Sequence, residues 1–146
     1  VECAFQGSKV FEQGGPFTDI YAVTSSEAKR DERLRLSGRL TGFDFANVQW
    51  PLEPQTAFYD WLYISALKHR RDLADQLSEY SAFTDIEFSP QKSINCQAYS
   101  VALFVSLQKR HCLEQATASP AAFLSYLASR PVVNARQDDV SQGQLF

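Results

Sequence analysis

Apolar residues recur along this chain at helical spacing in several stretches, separated by polar segments and by Pro or Gly punctuation. Val1, Phe5, Val10 and Phe11 fall near every fourth position and predict a short first helix with one apolar face. Gln13-Gly14-Gly15-Pro16 ends it. Ser25-Ser26-Glu27-Ala28-Lys29 predicts a second helix with a hydroxyl cap and an early carboxylate, running to Ser37-Gly38. The segment from Leu40 to Pro54 carries Gly42, Pro51 and Pro54 and reads as an ordered loop.

Pro54 suits the first turn of a long apolar helix containing Phe58, Trp61, Leu62, Ser65 and Ala66, which stops in a basic run. Asp72 then suits the cap of a short helix with Leu73, Leu77 and Tyr80 inward, and Phe83 to Phe88 reads as extended. Ser93 or Asn95 opens a further helix through Ala98, Val101, Ala102, Val105 and Arg110, whose last turn is basic, as its dipole favours. Ser119-Pro120 is a cap followed by a first-turn proline, with Phe123, Leu124 and Leu127 facing inward. Asn134 to Phe146 has no period and is expected to be a mobile tail. The expected architecture is mainly α, an α+β chain with minimal sheet: one helical domain over residues 1–133 and a tail over 134–146.

Composition sharpens this picture. The chain of 146 residues is 45% apolar, 13% aromatic and 21% charged, with eleven Phe, which fits one soluble domain with an aromatic-rich core. It contains no Met and opens on Val1-Glu2-Cys3 inside the first helical pattern. The expectation is therefore a domain lacking its N-terminal part. A net charge of -3 excludes coating nucleic acid by global attraction. Local attraction stays open, because cations gather at Lys29, Arg30, Arg33, Arg35 and Arg39, at Lys68, Arg70 and Arg71, and at Lys109 and Arg110. Cys3, Cys96 and Cys112 form no paired framework and no metal knuckle; they read as buried thiols in a reducing cytoplasm. No apolar run is long enough to span a membrane.

Phosphate-binding, dinucleotide, zinc-protease and nucleophile-elbow motifs are all missing from the sequence. His69 and His111 follow cationic stretches near helix ends and read as solvated. Glu2, Gln6 and Lys9 follow one side of the first helix, exposing a carboxylate, an amide and an ammonium together, either as a site or as a surface ion-pair set. Asp85 and Glu87 alternate along an extended segment and point the same way. Among Phe83, Ile86 and Phe88 their pKa values would rise into a range suited to acid or base work; an exposed edge is the plainer reading. Trp50, in the loop before Pro51, either stacks a base or plugs the core. The sequence asks for no metal and no cofactor.

Val1-Glu2-x-x-Phe5-Gln6-x-x-Lys9-Val10-Phe11 resembles the Glu-led signature of the NADAR family, helical N-glycoside hydrolases of nucleotide-like ribosides. Glu27-Ala28-Lys29, Gly38-Arg39 and Trp50 follow in that family's order, and Glu87-x-x-Pro90 resembles the start of its closing motif. The phrases Lys9 to Tyr21, Trp50 to Leu67 and Phe83 to Ala98 resemble one branch, antitoxins paired with DarT-type toxins that ADP-ribosylate guanine in DNA. That resemblance implies an ADP-ribosylglycohydrolase working in the cytoplasm on ADP-ribosylated DNA or an ADP-ribose-like ligand, beside a cognate DarT-type toxin. It implies Glu2 as the carboxylate at the ribose, with Glu87 or Asp85 as the second. Gln6 would contact ribose or base, Lys9 and Arg39 the diphosphate, and Trp50 the base. A riboflavin-pathway riboside is disfavoured, because Lys92, Asn95, Cys96 and Ala98 replace that branch's closing residues and Ser65 and Ala66 replace its Lys-Phe pair. A non-catalytic helical module that binds a toxin is the competing class.

Overall fold

The computed structural model describes residues 1–84 and 95–129. Its architecture is mainly helical with one small antiparallel sheet, as the sequence predicts. The helices are α1 (Glu2–Gly7), α2 (Ser25–Arg30), α3 (Arg33–Leu36), α4 (Ala57–Lys68), α5 (Arg71–Leu77), α6 (Gln97–Lys109), α7 (Leu113–Thr117) and α8 (Pro120–Ala128). A 3-10 helix covers Thr18–Ala22, and the strands are β1 (Lys9–Phe11), β2 (Leu40–Phe45) and β3 (Val48–Trp50). Among the described residues no helix is long and apolar enough to cross a membrane.

The sheet corrects two readings. Val10 and Phe11 do not continue the first helix; they form β1, paired with β2 through Lys9↔Phe43, Val10↔Gly42 and Phe11↔Leu40. Leu40 to Trp50 is not a loop but a hairpin, with Phe43↔Trp50 and Phe45↔Val48 in register. Its turn residues Ala46 and Asn47 both hold positive φ, 52° and 64°, matching the twist a two-residue hairpin turn requires.

The predicted second helix is two helices. Thr24, not a serine, caps α2: its hydroxyl accepts from Glu27 N while the Glu27 carboxylate accepts from Thr24 N. Asp31 ends that helix by bending its carboxylate onto Arg33 N at 3.0 Å, a local bond that competes with the helical ladder. Ser119 caps α8 as predicted, accepting from Ala122 N at 3.1 Å, with Pro120 in the first turn and Phe123 fully buried.

The core gathers around α4. Ala57, Phe58, Tyr59, Asp60, Leu62, Ile64 and Leu67 are all buried, so this helix is covered nearly all round. It starts at Ala57 behind Thr56, three residues later than Pro54. Against it pack Phe43 and Trp50 from the sheet, Leu103, Phe104 and Leu107 from α6, and Phe123 from α8. Ala74 is the buried residue of α5, whereas Leu73 and Tyr80 are exposed, contrary to the inward reading. In α6 the cap is Cys96 rather than Ser93 or Asn95, and Ala102 is exposed while Leu103, Phe104 and Leu107 turn inward. All three cysteines are half-buried thiols rather than fully buried ones. His69 and His111 are exposed. The expected extended segment beyond Thr84, Ser93 and the tail lie outside the described residues.

Candidate functional site

The site begins with α1, only six residues long and held at its C-terminal end. At its C-terminal end Ser8 is fully buried and its hydroxyl bonds to Ala4 O at 2.6 Å and to the Tyr21 hydroxyl at 2.9 Å. Gly7 lets the Tyr21 ring lie against the helix, since a Cβ there would meet that ring at 2.5 Å and Phe17 O at 2.9 Å. The Ser8 carbonyl accepts from Asp44 N of β2 at 2.8 Å, which fixes the helix to the sheet. Phe5 packs between Phe43 and Phe58 and meets the Tyr59 ring edge-on at 5.3 Å. The other face of α1, with Glu2 and Gln6, is left half-buried.

Glu2 and Gln6 are one turn apart, and the Gln6 amide Nε2 donates to Glu2 Oε1 at 2.8 Å. The second oxygen, Oε2, faces Lys29 Nζ of α2 at 3.6 Å, with the carboxylate side chain 22% exposed and the lysine 61%. An exposed pair at that distance is worth at most about 1 kcal/mol. Ala28, fully buried, lets α2 come close enough to α1 for the pair to form. Lys9 arrives by strand rather than by helix. Its Nζ lies 5.1 Å from the Phe5 ring centroid. Burial holds this ammonium below the usual lysine range, and the nearby Glu2 charge works against that shift.

On the α4 side, burial pushes the Tyr59 phenol up to about 12, opposed by a hydrogen bond with Gln97 and reinforced by the Glu2 charge. The structure therefore brings Glu2, Gln6 and Lys9 together as expected, and adds Lys29, Tyr59 and Gln97. Sequence reasoning does not single out these three. For Lys29 a signal is present, the Glu27-Ala28-Lys29 phrase; for Tyr59 and Gln97 only the packing of α4 against α6 reveals it.

Two expected members stand apart. Arg39 lies past the far end of β1, about 10 Å along the strand from Lys9, where Glu12 takes it: Glu12 Oε1 accepts from Nε at 3.1 Å and Oε2 from the backbone N at 3.2 Å. Trp50 is a core residue, 3% exposed, with Phe58, Trp61 and Phe123 around its ring at centroid distances of 5.6, 5.0 and 6.2 Å. No ring face remains for a base, so the stacking role is withdrawn. Its indole Nε1 is buried without a hydrogen-bond partner among the described residues. Asp85 and Glu87 lie outside the described residues. Elsewhere in the first basic cluster, Arg33 bonds Asp19 at 2.7 and 3.1 Å and Asp31 at 2.7 and 2.9 Å, joining the 3-10 helix to α3.

The cluster thus offers a carboxylate with one oxygen fixed by an amide and the other under an exposed ammonium, beside a second, half-buried ammonium. Such a set stabilises positive charge at the carboxylate and receives negative charge at the two lysines. A comparison with curated proteins returns no match. The family model of the DarT1-associated NADAR antitoxins, in contrast, matches residues 1–137, and the chain belongs to that family.

Proposed function

We propose that this protein hydrolyses the N-glycosidic bond joining ADP-ribose to guanine in DNA, and so reverses the modification made by a DarT-type toxin. Water adds to ribose C1, the bond from C1 to the guanine nitrogen breaks, and that nitrogen takes up a proton. The products are free ADP-ribose and restored guanine. Cleavage passes through oxocarbenium character at C1, which a fixed carboxylate stabilises.

The observation that carries this reading is the Glu2 carboxylate held by Gln6 at 2.8 Å beside the half-buried Lys9. In the mechanism Glu2 faces C1 and orients the attacking water. Gln6 keeps one Glu2 oxygen pointed, and Lys9 meets the diphosphate. Arg39, engaged by Glu12, serves at most at the outer edge of the ligand. Glu87, with Asp85 as the alternative, supplies the second carboxylate that handles ribose hydroxyls or the leaving group's proton.

The test is to incubate the protein with guanine-ADP-ribosylated DNA and to follow ADP-ribose release by chromatography. The account expects stoichiometric release and unmodified guanine in the DNA. A protein that binds its toxin tightly but releases no ADP-ribose would instead be a neutralising partner, and the hydrolytic reading would fall.

A further inference from the structure

We propose that Lys29 is a ligand-operated latch on Glu2, covering the carboxylate in the free protein and moving to the phosphates of an ADP-ribose-like ligand when one enters. This inference rests on the reading of the Glu2 cluster given above. The two oxygens of Glu2 are held differently. Oε1 accepts a hydrogen bond from Gln6 at 2.8 Å, within the span of an ordinary short bond. Oε2 lies 3.6 Å from Lys29 Nζ, beyond the roughly 2.7 to 2.9 Å of a charge-assisted hydrogen bond. The lysine is therefore attracted to the carboxylate without being locked on it.

Its neighbours are more firmly engaged. Arg33 is shared between Asp19 and Asp31, and Arg39 is bound by Glu12 through both side chain and backbone. Lys29 has a flexible stem, a side chain 61% exposed and a point charge that suits phosphate from several directions. Its backbone is nevertheless fixed, because the Thr24–Glu27 capping box holds the start of α2 and buried Ala28 seats it on α1. Two ammonium groups, Lys9 and Lys29, thus attend one carboxylate, and the excess positive charge is available to an anion. A diphosphate brings more negative charge than Glu2 does and draws Lys29 across. Glu2 Oε2 is then uncovered only when a phosphate-bearing ligand binds beside it. Lys29 becomes a specificity-determining residue that disfavours ribosides lacking phosphate.

Calorimetric titration with ADP-ribose, on wild type, Lys29→Met and Lys29→Arg, tests this. Lys29→Met should weaken ADP-ribose binding about 10-fold, and Lys29→Arg should stay within about threefold of wild type. Adenosine, which lacks the diphosphate, should bind Lys29→Met more tightly than wild type, because no ammonium then covers Glu2 Oε2. ADP-ribose binding indifferent to Lys29→Met, or adenosine binding no tighter in it, overturns the latch. If binding depends on Lys29 yet no ADP-ribose is released from modified DNA, the latch stands and the hydrolytic reading falls. If release occurs at the same rate and KM in Lys29→Met, the latch alone falls.

Discussion

In the proposed reaction, a carboxylate serves a cationic transition state best when it is fixed before the charge develops, and Gln6 would supply that fixation to Glu2 from one turn away. The same economy explains Trp50, whose work is structural. It bridges the sheet to α4 and α8 through Phe58, Trp61 and Phe123. Trp50→Ala should therefore destabilise the fold by about 3 to 5 kcal/mol, measured by urea denaturation, while Trp50→Phe costs less and leaves ADP-ribose affinity close to wild type. Unchanged stability in Trp50→Ala would contradict this placement. The role was hidden in the sequence for a physical reason. A Trp before Pro in a Gly- and Pro-marked segment carries no periodic sign of which side it faces. Only the pairing of Phe43 with Trp50 turns it inward. Glu2 and Gln6, by contrast, are legible at once, because helical spacing alone makes them neighbours.

Among elements, α4 and α6 are joined by a buried polar contact as well as by apolar packing. Asp60, 1% exposed, accepts from the Ser100 hydroxyl at 2.6 Å, while its other oxygen has no partner among the described residues. Burial raises this carboxyl from 3.8 to about 6, and the Ser100 hydrogen bond opposes the rise. The sign follows from proton uptake. With its folded value raised, Asp60 binds more protons in the folded state between those pH values. The stability it lends is complete below the unfolded value and is lost as pH climbs through about 6. A shift of this size corresponds to about 3 kcal/mol. Relative to Asp60→Asn, wild type should therefore lose stability by that order between pH 4 and pH 7, read as the difference of two denaturation series. A flat difference would contradict it.

Elements defined by their own chemistry were readable: Ser119 and Pro120 announce α8, and the apolar run announces α4. Those defined by partners were not. β1 is three residues long and exists because β2 pairs with it. The break between α2 and α3 comes from the Asp31 side chain capturing Arg33, a choice that helix periodicity does not encode.

For the whole molecule, the arrangement separates support from chemistry. A central α4 carries the core, the hairpin and α6 brace it, and the short α1 is pinned at its C-terminal end by Ser8, Gly7 and Tyr21, with Glu2 and Gln6 along its half-buried face. Lys9 from the sheet and Lys29 from α2 reach that face from separate elements. Three separate stretches of chain thus build one charged cluster, which is why a reading by local pattern finds Glu2, Gln6 and Lys9 and not the rest. Membership of the DarT1-associated NADAR antitoxins gives that cluster its context.

The most direct measurement is single-turnover release of ADP-ribose from guanine-ADP-ribosylated DNA by wild type and Glu2→Gln, with folding of both checked by circular dichroism. The account predicts a loss of about 100-fold or more in the variant, the scale set by removing one preorganised charge from a transition state, with ADP-ribose still bound. Release by Glu2→Gln at the wild-type rate would contradict the assignment of Glu2 as the carboxylate that carries the reaction.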